Sequence, residues 1–189
     1  MAARANGVFC LEGAWERRLD DRTSVLPSLE LLERIGHIRY IHRVVGTSDE
    51  LYHYLAKWAQ RGYHAYSVLY FAFHGVRGGI DVGRGVVPLS DLAEKLEGSA
   101  SGRVIHFGAC SVMSDRDAVA EFHRATGAKA VVGYRKEVDW VESAALDLLL
   151  LSSLTDSGRI DARINQVRKK AGGLADRLGF ESFPSFDRS

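Results

Sequence analysis

Two apolar runs in this chain end in side chains that move protons. Leu69-Tyr70-Phe71-Ala72-Phe73 ends in His74-Gly75, and Val104-Ile105-His106-Phe107-Gly108-Ala109 ends in Cys110-Ser111. Cysteine attacks as a thiolate, and a free thiol with a pKa of about 8.5 needs that value lowered or a base to take the proton. A histidine within hydrogen-bonding range meets either need. Gly75 offers a backbone N–H with no side chain beside it, and the N–H of Cys110 is a second donor, so the two together fit an oxyanion. Gly108 and Ala109 keep the approach to the thiol narrow. Cys110 also stands just before a predicted helix, whose N-terminal dipole favours a thiolate. The pattern is that of acyl transfer: nucleophile Cys110, general base or acid His74, and the N–H groups of Gly75 and Cys110 as the oxyanion site.

Such a pair needs a scaffold that holds two remote positions together. Val8–Leu11, Ile38–Val45, Ser67–Phe73, Arg103–Ala109 and Ala128–Gly133 read as strands. Between and after them, helical periodicity covers Leu26–Ile35 (Pro27 near its start, Gly36 as its stop), a segment capped by Ser48 or Asp49 running to Arg61, and Leu89–Leu96 capped by Ser90. Further helices open at Ser114 or Asp115 and run to Thr126, then cover Trp140–Leu154, apolar almost all round, and Ile160–Leu178. The tail Phe180–Phe186 reads as an edge strand, and residues 180–189 as a tail or edge element. Alternation of this kind predicts one α/β domain over 1–189, with a mainly parallel sheet and helices on both faces. Sites in such sheets form beyond the carboxyl ends of the strands. His74 and Cys110 stand at two such ends, and a right-handed crossover through the Leu89 helix makes those strands neighbours.

The two blocks resemble the histidine and cysteine blocks of the caspase clan, where one apolar strand ends in His-Gly and a later one in Ala-Cys or Ser-Cys. With Val87-Pro88-Leu89-Ser90-Asp91-Leu92 between them, the spacing is most similar to the bacterial CHAT (caspase and separase-like) branch, over roughly Val8 to Leu154. The resemblance implies a caspase-like three-layer sandwich and a peptidase using Cys110 as nucleophile and His74 as base. It implies no metal and no organic cofactor. It also implies a protein or peptide substrate, a role as protease effector in anti-phage or cell-death signalling, and a regulator or sensor, which here would be carried on another chain. In separase-like members an acidic residue after the fifth strand favours a basic residue at the cleaved position. Asp139, with Glu137 beside it, is the matching substrate-binding candidate.

Other readings stand beside this one. Cys110 to Arg116 also satisfies the Cys-x5-Arg spacing of cysteine phosphatases. That loop has no glycine, however, and Asp115 repels a phosphate dianion. A catalytically silent caspase-like interaction module is the second alternative. Cys10, inside a strand, reads as core, and His106 as a satisfied core histidine. His37, His42, His53, His64 and His123 show no metal-ligand spacing and read as structural or surface residues. Arg77-Gly78-Gly79 fits either a flexible rim over the site or an ordinary turn.

Composition narrows the classes further. Lys plus Arg number 25 against 24 Asp plus Glu, so no basic field for nucleic acid or anionic membrane exists. Two cysteines exclude a disulfide framework and fit a reducing compartment. The apolar stretch near Val8 is too short for a leader, and Ala144–Leu154 is too short for a membrane span, so a cytoplasmic location is expected.

Overall fold

The strands form where β-branched, aromatic and aliphatic residues run together, and their alternate side chains feed two separate cores. The computed structural model describes residues 6–16, 18–35 and 38–186. Its strands are β1 (Gly7–Glu12), β2 (Arg39–Val44), β3 (Val68–Ala72), β4 (Gly75–Val76), β5 (Gly79–Val82), β6 (Gly85–Pro88), β7 (Val104–Phe107), β8 (Ala130–Tyr134) and β9 (Phe180–Phe183). Its helices are α1 (Leu26–Arg34), α2 (Ser48–Trp58), α3 (Leu89–Lys95), α4 (Arg116–Thr126), α5 (Trp140–Thr155) and α6 (Ile160–Leu178). The main sheet has the order β2-β1-β3-β7-β8-β9. Its pairs are parallel except β8–β9. The tail therefore supplies the expected edge strand.

Period-two alternation assigns each strand residue to a layer. Phe9, Leu11, Leu69, Phe71, Ile105, Phe107 and Val131 join a core with Leu51, Leu55 and Trp58 of α2, Leu92 of α3, and Val119 and Phe122 of α4. Val8, Cys10, Val68, Tyr70, Val104, Val132 and Tyr134 join a second core with Leu29 of α1, Leu146 and Leu150 of α5, and Ile164 of α6. The sheet is thus the middle layer of three.

Local signals at the helix ends need some correction. Thr47, not Ser48 or Asp49, caps α2 by accepting from Glu50 N–H at 3.2 Å. Asp115 caps α4 as expected, accepting from Ala118 N–H, and Gly127 closes it with φ of 69°. Helix α3 starts at Leu89 as expected, but Pro88 and not Ser90 holds its cap position. The stop read at Gly36, and His37, lie outside the described residues.

The stretch between β3 and α3 is the largest departure. Gly75 to Pro88 folds into a small antiparallel sheet, β4-β5-β6, with Gly78 at φ of 68° in the first turn. Arg77-Gly78-Gly79 is therefore a hairpin turn. Helix α5 is apolar almost all round, as expected, but it is not buried all round. Leu146, Leu150, Leu151 and Leu154 are buried, but Val141 is 72% exposed, and the buried face carries Asp147. No helix among the described residues is long and apolar enough to cross a membrane.

Candidate active site

Four side-by-side parallel strands, β1, β3, β7 and β8, end at one edge of the sheet, and the segments following them converge there. In the β3–β7 register, Val68 faces Val104 and Phe71 faces Phe107, so partners stand 36 positions apart. His74 and Cys110 share that offset, just past the two strand ends. Both line a single cleft of about 150 Å³, together with Tyr70 and Gly108 of the same two segments. Tyr70 lies on the face of β3 turned toward α5, and α5 closes the cleft with Ser143, Ala144, Asp147 and Leu151. Cys110 is partly exposed and His74 exposed.

Two glycines allow this approach. A Cβ on Gly75 would overlap the Cys110 carbonyl oxygen and lie 2.7 Å from the Cys110 nitrogen. The histidine and cysteine blocks therefore touch backbone to backbone, and only glycine fits. The Asp81 N–H donates to the His74 carbonyl at 2.8 Å. In an antiparallel ladder the next residue then turns its own N–H away from the partner strand, so the Gly75 N–H is directed off β5. At Gly108 a Cβ would stand 2.5 Å from the Tyr70 ring, so the absent side chain makes room for that ring under the cleft.

The His74 ring is held by the chain that follows β1. Its Nε2 lies 2.6 Å from the Trp15 carbonyl oxygen. A carbonyl only accepts, so Nε2 carries the hydrogen and Nδ1 is left as the basic nitrogen. The Trp15 ring meets the imidazole edge-on at 5.2 Å and the Trp140 ring at 4.4 Å. Glu12, at the end of β1 and 2% exposed, fixes Trp15 in turn. Its carboxylate accepts from Trp15 Nε1 (2.6 Å), Ser24 Oγ (2.7 Å) and Val25 N–H (2.7 Å), and pairs with His42 Nε2 (2.6 Å). Burial pushes this carboxyl up, but the hydrogen bonds from His42, Trp15, Ser24 and Val25 outweigh it and hold the group below the usual carboxylate range.

The chain after Cys110 turns sharply. Ser111 has φ of 59°, the one left-handed residue other than glycine among those described. Its N–H donates to the Lys136 carbonyl at 3.0 Å, and its own carbonyl accepts from the Ser114 N–H and hydroxyl. Backbone strain of this kind costs about 1–3 kcal/mol and concentrates at functional positions. A short 3-10 turn, Val112–Ser114, follows, and α4 begins only at Arg116. The helix dipole expected at Cys110 is thus displaced from the thiol. The Cys-x5-Arg alternative also loses its arginine. Arg116 is paired at 3.8 Å with Glu181 of β9, and it does not line the cleft.

Beneath the cleft lies a buried polar cluster. Asp147 of α5 accepts from Tyr70 Oη (2.8 Å), Tyr134 Oη (2.6 Å) and His106 Nε2 (2.8 Å). His106 is fully buried and stacks on Tyr70 at 4.9 Å. Desolvation, then the Asp147 charge, pushes both tyrosine hydroxyls well above their ordinary pKa, so they remain donors. Cys10 is fully buried in the same core, its thiol pushed up chiefly by desolvation.

Asp139 and Glu137, expected to bind substrate, flank Val138, which lines the cleft. Asp139 is the N-cap of α5, and its carboxylate accepts from Val141 and Glu142 N–H at 2.9 and 3.0 Å. Glu137 is exposed, and neither residue lines the cleft. Trp15, Glu12 and Asp147 were not picked out by the sequence reading. Glu12 ends an apolar run before a tryptophan, which is a faint signal. Asp147 interrupts an otherwise leucine-rich helix, which is a stronger one, since a buried acid needs partners. Among the described residues no cluster of His, Cys, Asp or Glu is arranged to hold a metal ion.

Fold and site together define a class: a three-layer α/β protein carrying a cysteine and a histidine past the ends of adjacent parallel strands. The chain belongs to the family of unknown function DUF6642, whose model matches residues 5–183. No curated protein matches it.

Proposed function

We propose that this protein is a caspase-like cysteine endopeptidase working through Cys110 and His74. The observation that carries the reading is the shared cleft: thiol and imidazole line one cavity, while Gly75 lies against the Cys110 backbone. His74 Nδ1 takes the thiol proton, and the sulfur attacks the carbonyl carbon of the scissile peptide bond. The oxyanion rests between the N–H groups of Gly75 and Cys110. The C–N bond breaks as the imidazolium protonates the departing amine, leaving a thioester on Cys110. Water then gives a proton to His74 and attacks the thioester, releasing the new carboxylate and returning the thiol. The Trp15 carbonyl holds the ring in the required tautomer throughout. Substrates on this reading are cytoplasmic proteins, in a bacterial defence or cell-death response triggered by a regulatory or sensor protein.

The test compares the protein with Cys110→Ala and His74→Ala on a peptide library varied at the cleaved position, with a phosphate ester in parallel. Peptide cleavage should fall by about 100-fold or more in either variant. Cleavage that survives Cys110→Ala, or thiol-dependent release of phosphate alone, rejects the proposal.

A further inference from the structure

The cleft that holds Cys110 and His74 has walls of a defined character. Val25, Leu29, Phe73, Val138, Ala144 and Leu151 line it, and the Trp15–Trp140 pair also borders it. Its volume is about 150 Å³. An apolar protein cavity of roughly 150 Å³ accepts a benzene ring.

The polar groups on the walls are mostly committed. Ser24 Oγ donates to Glu12 and accepts from the Leu26 N–H at 3.0 Å. Ser143 Oγ donates to the Trp140 carbonyl at 3.0 Å. The one carboxylate in the lining, Asp147, already accepts from two tyrosines and a histidine. A lysine or arginine entering here would lose its water and find no carboxylate without partners, which is a costly burial. An acidic side chain would likewise lose its water, with no lysine or arginine in the lining to pair it.

We infer that this cleft receives the substrate side chain at the cleaved position, and that it selects an uncharged apolar residue between leucine and phenylalanine in size. The inference rests on the peptidase reading and gives that site its substrate class. It replaces the basic preference expected from Asp139 and Glu137, whose positions lie outside the cleft.

The experiment uses the full chain and peptides differing only at the cleaved position. Leu, Met and Phe should exceed Lys, Arg, Asp and Glu in kcat/KM by at least about 10-fold, the scale on which apolar pockets discriminate. Ala144→Phe fills the cavity and should lower the Phe-to-Ala ratio by about 10-fold. Ser28→Asp sets a carboxylate without these partners on the wall and should raise cleavage after Lys and Arg relative to Leu. Cleavage that depends on Cys110 but follows Arg, Lys or an acidic residue overturns the pocket assignment and leaves the peptidase reading intact. If no peptide is cut, the peptidase reading falls, and the pocket is read by tryptophan fluorescence of Cys110→Ala, since Trp15 and Trp140 border it. Quenching by N-acetyl-leucinamide and not by N-acetyl-argininamide supports an apolar pocket. The reverse, or no response to either, overturns it.

Discussion

At the scale of single residues, the controlling interaction is one hydrogen bond from His74 to a backbone oxygen that no substitution can remove directly. The Trp15 carbonyl is positioned by its own side chain, and that side chain by Glu12. Glu12 is therefore a positioning residue for the imidazole. On the proposed peptidase mechanism, Glu12→Gln should lower kcat by about 10- to 100-fold with little change in KM, because small misplacements of a base are costly. A purely structural role would not divide the constants in this way. The same variant should lose about 3 kcal/mol at neutral pH, as expected for breaking a buried, fully bonded charge. The pH dependence has a definite sign. The folded pKa of Glu12 is depressed below its ordinary value of 4.5. Its stabilisation is therefore present above that value and lost as pH falls through the folded pKa. Denaturant titrations between neutral pH and pH 3 should show the wild-type advantage shrinking below about pH 4.5. A constant gap between the two proteins across that range would count against the assignment.

At the scale of elements, most of the scaffold was legible because its signals are long and redundant. The four central strands β1, β3, β7 and β8 carry largely apolar runs, the edge strands β2 and β9 mix polar residues in, and the helices between them keep a 3.6-residue period, so order and alternation followed from the pattern. The β3–β7 pairing and the co-location of His74 with Cys110 followed from that order. The β4-β5-β6 sheet did not, because its strands are two to four residues long and interleaved with Gly75, Gly78, Gly79, Gly83 and Gly85, the composition of a loop. The N-cap role of Asp139 was not legible for a different reason. An acidic residue just before an apolar helix suits both a ligand and an N-cap, and only the hydrogen bonds to Val141 and Glu142 N–H decide between them. This decision is testable. Asp139→Ala should cost about 1 kcal/mol of stability, seen as a lower denaturation midpoint with an unchanged slope. It should leave the preference at the cleaved position where it was. A selective loss of cleavage after basic residues would restore Asp139 to the substrate site.

At the scale of the whole molecule, the two faces of the sheet are built differently. The face toward α2, α3 and α4 is packed by Phe9, Phe71, Phe107 and Phe122 with aliphatic neighbours. The face toward α5 carries its polar cluster at the level of the cleft, where one carboxylate on a helix gathers donors from three adjacent strands: Tyr70 of β3, His106 of β7 and Tyr134 of β8. Asp147 thus fastens the outer layer to the sheet beneath Cys110, and it fixes the floor on which the cleft depends. Removing it leaves three buried donors without an acceptor, a loss of about 3–5 kcal/mol for Asp147→Ala. Tyr134→Phe removes one donor from an acceptor that keeps two others and should cost about 1 kcal/mol. Urea unfolding measures both. A tie between layers also makes the effects non-additive: with Asp147 already alanine, Tyr134→Phe should cost close to nothing, because the hydroxyl it removes has lost its partner. Additive losses would mean that the Tyr134 hydroxyl contributes independently of Asp147, and the tie between the layers would be rejected. Asp147→Asn separates the fastening role from a charge role in the cleft. If Asp147 served to attract a basic substrate residue, the amide would abolish cleavage after Arg while sparing stability. If it fastens the layers, stability falls in the amide as well, and the apolar preference of whatever activity remains is unchanged.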